Sequence, residues 1–154
     1  MAGFELSVDI DEPFRPHLDE SWLRDVVAQT LAAEAVGSPA ELSLVITGDE
    51  RVHQLNKAYR GIDDTTDVLS FALLEDTGVS FVRPPDGVLH LGEVVISYPR
   101  AVEQAEEHHH AVRRELALLL VHGVLHLLGH DHGEPEEERR MRAEEEKVLG
   151  ALEL

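Results

Sequence analysis

Three histidines in the last third of the chain have the spacing of a metal site. His122 and His126 are four residues apart, so on a helix their imidazoles lie one turn apart on the same face. The residues around them are mostly Leu and Val, and burying two imidazoles in such surroundings is costly unless a metal satisfies both. Gly129 allows the left-handed backbone that ends a helix and turns the chain back, so His132 can reach the same ion.

The pattern His-x3-His-x2-Gly-x2-His indicates water activation. Three-histidine zinc proteases use this spacing, and three protein ligands leave the fourth position of the ion to water. Zinc lowers the pKa of that water to about 7, which supplies a hydroxide nucleophile at neutral pH. We therefore predict one Zn²⁺ per chain, bound by His122, His126 and His132 and used in hydrolysis. Imidazole also suits nickel, copper and iron, so the residue types alone leave the metal open.

The other histidines and acids near this segment are not assigned as metal ligands. The three histidines at 108–110 are consecutive, and consecutive residues on a helix point in different directions, so we interpret them as a solvated stretch. Asp131 can orient a ligand histidine or serve as a turn residue. His130 is interpreted as exposed. Glu115, two turns before His122, can support the site or lie at the surface.

One residue of the histidine segment argues against a protease. Zinc proteases of this type carry Glu directly after the first histidine as the general base, and here that position is Gly123. The histidine spacing keeps a metal-dependent hydrolase of another substrate, such as a peptidase, as the alternative. A third hypothesis is a non-enzymatic, metal-stabilised assembly protein that binds the ribosome or a GTPase.

A second polar motif occupies residues 56–71, with the sequence N-K-A-Y-R-G-I-D-D-T-T-D-V-L-S-F. Arg60 within it can clamp a phosphate through two hydrogen bonds and stabilise the charge that develops during phosphodiester cleavage. A structural salt bridge from Arg60 to Asp63, Asp64 or Asp67 explains the same residue types equally well.

Hydrophobic periodicity predicts the elements that must position these residues. Strict alternation over 4–10 predicts a half-buried strand, and apolar segments predict three more strands at 42–47, 67–74 and 88–97, the last one central. Helices are predicted at 19–36, 50–59, 99–128 with a break near 108–110, and from Pro135 onward. Residues 75–87, with glycines and prolines, are predicted to be a loop. We expect one α+β domain over residues 1–154.

Composition limits the class of protein. The chain has no cysteine, which excludes disulfides, thiol nucleophiles and thiolate metal sites and agrees with a reducing cytoplasm. No stretch is typical of a signal peptide or a membrane span. The net charge of -18 argues against indiscriminate binding to nucleic acid, although a local basic cleft can still bind RNA. The candidate RNA contacts are Arg51, Lys57, Arg60, Arg100, Arg113 and Arg114.

Segments 56–71 and 122–132 resemble the signature motifs of the YbeY family, bacterial single-strand-specific endoribonucleases that act in ribosomal RNA maturation. Segment 91–97, L-G-E-V-V-I-S, is also similar to a family element. The resemblance implies that His122, His126 and His132 bind zinc and that Arg60 is the arginine of the active cleft. It also implies a mixed sheet of about four strands flanked by helices, with a zincin-like metal site beside it.

The resemblance also implies substrates and partners, and this sequence departs from the family pattern at two positions. It implies single-stranded RNA and small-subunit ribosomal RNA as substrates, in 3′-end maturation and ribosome quality control. It also implies an assembly GTPase and ribosomal proteins as partners, in the cytoplasm. Glu93 stands where the family usually has Asp, so we assign it no role. His130 stands where the family often has Tyr, which implies that it is not a ligand.

Overall fold

A mixed sheet of four strands forms the frame of the molecule. The computed structural model describes residues 4–36, 39–73, 87–130 and 133–152. The strands are β1 (Phe4–Ile10), β2 (Ala40–Thr47), β3 (Val68–Ala72) and β4 (Leu89–Ser97), in the spatial order β1-β2-β4-β3. β1, β2 and β4 are parallel, whereas β3 pairs antiparallel with β4 and lies at the edge of the described sheet. The predicted α+β class and four-stranded mixed sheet are confirmed.

β4 occupies the centre because its side chains are apolar on both faces. Leu91, Val94, Val95 and Ile96 are all buried, as a strand covered on both sides requires. The pairing with β2 shifts between Glu41 and Leu42, which oppose His90 and Gly92 and leave one extra residue in β4. Gly92 has φ +131°, and a Cβ there would lie 2.0 Å from the Phe71 carbonyl oxygen, so only glycine fits this close approach.

In the described part of the chain, five α-helices and one short 3-10 helix cover the sheet. They are α1 (Glu20–Ala33), α2 (Asp49–Arg60), α3 (Tyr98–Glu107), α4 (Val112–Leu127) and α5 (Pro135–Ala151), with the 3-10 helix at Glu12–His17. Asp19 caps α1 by accepting hydrogen bonds from the backbone of Ser21 and Trp22. Residues 75–86 of the predicted loop lie outside the described part of the chain. Among the described helices, none has the length and apolar character that a membrane crossing requires.

The helices lie on two opposite faces of the sheet. Val94 and Ile96 of β4 pack in the main core with α1, α4 and α5, whereas Val95 between them packs with Val52 of α2 on the other side. Because strand side chains alternate between faces, α4 and α2 belong to different layers. The two sequence motifs are therefore carried by helices on opposite faces, and both layers reach the edge strand β3.

Candidate metal centre

The histidine pair lies on α4, the most deeply buried helix of the main core. The ring centres of His122 and His126 are 4.9 Å apart, with an interplanar angle of 66°. With Zn–N bonds of about 2.0–2.1 Å, tetrahedral coordination places the centres of two imidazole rings about 5 Å apart. The i,i+4 spacing has therefore brought the two rings to a separation at which one ion fits between them.

A carboxylate orients the first of these histidines. His122 donates its Nδ1–H to Glu145 Oε1 on α5 at 2.6 Å, and the Glu145 side chain is only 14% exposed. Histidines that bind metals commonly donate their second ring nitrogen to a carboxylate, which fixes the ring and directs Nε2 toward the ion. The residues present thus fit an imidazole-bound metal, and Glu145 is a candidate site residue that the sequence interpretation missed.

The position of Glu145 on its helix could have been read from the sequence. It lies four residues after Met141 and three before Val148, the two buried side chains of α5. Glu144 has the mirrored spacing and is also half-buried, so the pattern narrows the 144–146 run to two acids on the inner face of the helix, Glu144 and Glu145. A carboxylate on a buried stripe needs a partner, and His122 is that partner.

Gly123 is required by the close approach of α4 to the sheet. A Cβ at this position would lie 2.6 Å from Val94 Cγ1 and 3.4 Å from Ser70 Oγ. Ser70 also donates a hydrogen bond to the Gly123 carbonyl at 3.3 Å. The position after the first histidine therefore faces the sheet, and a glutamate side chain has no room there. Position 123 therefore cannot carry the glutamate that zinc proteases use as a general base, which counts against the peptidase alternative.

Gly129 ends the helix in the way the sequence predicted. Its φ is +100°, and the next residue, His130, donates its backbone N–H to the Leu125 carbonyl at 3.0 Å. The following residues, Asp131 and His132, lie outside the described part of the chain. The third predicted ligand therefore stays a prediction, as does any role of Asp131.

The interpretation of His130 as exposed is wrong. Its side chain is 18% exposed, and its Nε2 is hydrogen-bonded to Glu34 Oε1 at the end of α1. Burial would raise the pKa of the Glu34 carboxyl, but the hydrogen bonds with Glu144 and His130 outweigh burial and lower it. The hydrogen bond with Glu34, followed by burial, raises the pKa of the Glu144 carboxyl. This cluster ties α1 and α5 to the chain just before the third predicted ligand.

The interpretation of the histidines at 108–110 as a purely solvated stretch is also wrong. α3 ends at Glu107 and α4 begins at Val112, so these residues form a turn rather than consecutive helix positions. His108 and His110 both contact Oε1 of Glu115, at 3.0 and 2.7 Å. Glu115 is only 1% exposed, so it is not a surface carboxylate. These three residues are close enough to hold a metal ion, since their ligand atoms all lie within 4.8 Å of one another.

Arg60 is the last residue of α2 and is exposed. Within the described residues, no ion pair joins it to Asp63, Asp64 or Asp67. Asp63 contacts His53 at 2.7 Å instead, and Asp67 accepts hydrogen bonds from backbone and side-chain groups. The structural salt bridge that competed with a phosphate-binding role is therefore not formed, and the catalytic role of Arg60 stays a prediction.

The predicted basic RNA contacts do not share one face. Arg51, Lys57 and Arg60 lie on α2, whereas Arg113 lies on α4 in the other layer, with its guanidinium 4.6 Å from the centre of the Trp22 ring. Arg51 is 3.7 Å from Asp11, and Lys57 is 4.0 Å from Asp63. The end of α2 reaches the edge strand β3, where Tyr59, next to Arg60, meets Phe71 edge-on.

A cleft of about 390 Å³ opens between α4 and α5 beside His122. Its lining includes Glu138, Glu145 and Glu146 but only one arginine, Arg142. Three carboxylates against one guanidinium repel a polyanion, so this side of the histidine pair is unsuitable for a phosphate backbone. Strand β3 adjoins both helices, since Ser70 contacts α4 and Phe71 contacts the α2 residue Tyr59.

Curated relatives match the chain over nearly its full length. An endoribonuclease YbeY from Roseiflexus castenholzii is 51% identical over 157 residues, covering 100% of this chain and 98% of the relative. An endoribonuclease YbeY from Chloroflexus aurantiacus is 44% identical, covering 98% of this chain and 97% of the relative. One from Dehalococcoides mccartyi is 44% identical, covering 94% and 88%.

A solved structure shares the fold, and a family model identifies the family. The solution structure of a protein from Thermotoga maritima matches with a TM-score of 0.62 at 20% identity, covering 97% of this chain and 88% of that one. At this identity the likeness concerns the fold alone. The family model described as endoribonuclease YbeY matches residues 10–153. This match and the full-length relatives show that the chain belongs to the endoribonuclease YbeY family.

Proposed function

We propose that this protein is a metal-dependent hydrolase, organised as one domain, that cuts single-stranded RNA with a zinc ion bound by His122, His126 and His132. The observation that carries the proposal is the pair of α4 imidazoles, 4.9 Å apart, with His122 held at Nδ1 by Glu145. Bound at these imidazoles, zinc supplies Lewis acidity toward a phosphoryl oxygen and lowers the pKa of a water.

Membership in the family confirms the predicted enzyme class. The relatives are named endoribonucleases, so a hydrolytic nuclease is favoured over a peptidase and over a non-enzymatic assembly factor. An endoribonuclease acts on RNA, which supports RNA as the substrate class. For the finer substrate we propose small-subunit ribosomal RNA, in 3′-end maturation and quality control in the cytoplasm. We also propose an assembly GTPase and ribosomal proteins as partners.

The chain's own groups perform three tasks in this proposal. Glu145 fixes the ring of His122 so that its Nε2 keeps one direction. Arg60, exposed at the end of α2, binds the phosphate and stabilises the charge of the transition state. The backbone turn at Gly129 brings His130 back to the Leu125 carbonyl of α4, just before the proposed third ligand.

Exposed apolar groups beside Arg60 favour single-stranded over double-stranded RNA. Tyr59 is 72% exposed and meets Phe71 of β3 edge-on, with ring centres 5.6 Å apart. An exposed aromatic ring can stack on an unpaired base, whereas the bases of a duplex are already stacked on each other. The adjacent guanidinium supplies the phosphate contact that such a platform needs.

The proposal is tested by cleavage of matched RNAs with untagged proteins. Wild-type protein and a His109→Asn control should cut single-stranded ribosomal RNA and spare the same sequence in a duplex. His109 is exposed with φ +55°, a conformation that asparagine tolerates, so the control should fold normally. His126→Ala should lose the cleavage. Equal cleavage by His126→Ala and wild type would mean that the chemistry takes place elsewhere, and it would refute the proposal.

A further inference from the structure

The turn between α3 and α4 places two histidines side by side. His109, at its centre, has φ +55°, an uncommon conformation for a residue other than glycine. The backbone N–H of His108 bonds to the Gln104 carbonyl at 2.9 Å, and that of His110 to the Ala105 carbonyl at 3.0 Å. These bonds close the end of α3 and fix the turn. The rings of His108 and His110 consequently lie with their centres 5.4 Å apart.

A buried carboxylate completes the group from the first turn of α4. Glu115 is 1% exposed, and its Oε1 lies 2.7 Å from His110 Nε2 and 3.0 Å from His108 Nδ1. A buried carboxylate is costly unless it is paired or binds a metal. Both histidine nitrogens converge on a single carboxylate oxygen, which concentrates three ligand atoms at one point.

The separations between the ligand atoms of His108, His110 and Glu115 are close to those around a bound metal ion. With bonds of about 2.0–2.2 Å to nitrogen and oxygen, tetrahedral zinc separates its ligand atoms by about 3.3–3.6 Å. The ligand atoms of this group lie within 4.8 Å of one another, and the contacts of 2.7 and 3.0 Å would lengthen by about 0.3–0.9 Å to reach that separation. The ring centres, 5.4 Å apart, already match the separation of about 5 Å expected for two imidazoles on one zinc ion.

We propose that His108, His110 and Glu115 form a second metal site, which binds one zinc-type divalent ion. Two imidazoles and one carboxylate suit zinc and similar transition metals, whereas magnesium and calcium prefer oxygen ligands alone. The His108 side chain is 52% exposed, so the ion has a path from solvent and a position for a water ligand. Glu115 and His122 are seven residues apart on α4, about 10 Å along the helix axis, so the two sites hold separate ions.

The second site stabilises the fold rather than performing catalysis. The ion joins the turn after α3 to the first turn of α4, and α4 carries the histidine pair of the metal centre. An ion that binds only the folded state stabilises it and raises the unfolding temperature, by an amount that grows with the logarithm of the ion concentration above Kd. The metal-bound group thus links the end of α3 to the start of α4 and stabilises their packing.

The test compares the same substitution at two neighbouring histidines. Untagged wild-type, His108→Asn and His109→Asn proteins are dialysed against micromolar zinc, and bound zinc is measured by mass spectrometry. We expect His108→Asn to bind one equivalent less than wild type and His109→Asn to match wild type. The same difference of one equivalent is expected between His126→Ala with and without His108→Asn, so the result does not depend on the His122 site.

A thermal measurement gives a second readout. Zinc should raise the unfolding temperature of His109→Asn more than that of His108→Asn, with circular dichroism showing that both are folded. His110→Asn should repeat the loss if His108→Asn folds poorly. Equal zinc contents for His108→Asn and His109→Asn would overturn the proposal and would mean that the group is held only by hydrogen bonds.

Discussion

The hydrogen bond between Glu145 and His122 gives the sharpest quantitative prediction. Glu145→Gln keeps an oxygen that can accept the His122 Nδ1–H bond, now 2.6 Å long, but removes the negative charge. A hydrogen bond to a charged group contributes about 1.5–3 kcal/mol and a neutral one about 0.5–1.5 kcal/mol. The difference of about 1–1.5 kcal/mol corresponds to roughly a tenfold weaker binding of zinc. Glu145→Ala removes the bond altogether and should approach the hundredfold loss that such supporting residues can cause.

The measurement is the zinc dissociation constant, obtained by competition with a chelator. All variants carry His108→Asn so that the proposed second site does not contribute. Glu146→Gln is the matched control, because it removes the same charge from the neighbouring exposed position of α5. Glu145→Gln should weaken zinc binding about tenfold relative to Glu146→Gln. Equal affinities for the two variants would refute the idea that Glu145 supports His122 as a ligand.

Three further predictions concern packing, RNA binding and pH. Gly123→Ala should lower the free energy of unfolding by about 1–3 kcal/mol in urea titrations, because its methyl would lie 2.6 Å from a β4 side chain. Gly150→Ala, with open space around it, should cause no loss, and equal effects would contradict the close approach. Arg60→Ala should weaken binding to single-stranded RNA and reduce the salt dependence by about 0.7 per lost phosphate contact, whereas Arg24→Ala should change neither. An unchanged salt slope would exclude a phosphate contact. The raised pKa of Glu144 favours folding while the group is protonated, and this contribution is lost as pH rises through its folded pKa. Glu144→Gln should therefore gain stability relative to wild type between about pH 4 and pH 7, and a constant difference would contradict the shift.

Elements with regular periodicity could be predicted from the sequence. Strict alternation predicted β1 over the residues that form it, and the apolar run at 88–97 identified β4 as an interior strand. The i,i+4 histidines and Gly129 were placed correctly, since helix geometry and the left-handed turn at glycine are local properties. These features depend only on neighbours within about one turn.

The features that were not predicted depend on the tertiary structure or on an unusual backbone conformation. The helix break near 108–110 was predicted and is confirmed, but its histidines were interpreted as a solvated stretch. A left-handed residue at His109 instead turns the chain and brings its neighbours onto Glu115. Non-glycine residues rarely adopt this conformation, so the shape of the turn could not be predicted. The basic residues were scattered because α2 and α4 lie on opposite faces, which depends on the strand order.

The central claim is that zinc at the α4 histidines is required for RNA cleavage. The most direct measurement removes metal from the His108→Asn protein and restores zinc stepwise while cleavage of single-stranded ribosomal RNA is recorded at each step. We predict no cleavage without metal, a rise that saturates at one equivalent of zinc, and no restoration when His126→Ala is added. Cleavage that persists after metal removal, or that zinc restores equally in the His126→Ala protein, would contradict the account.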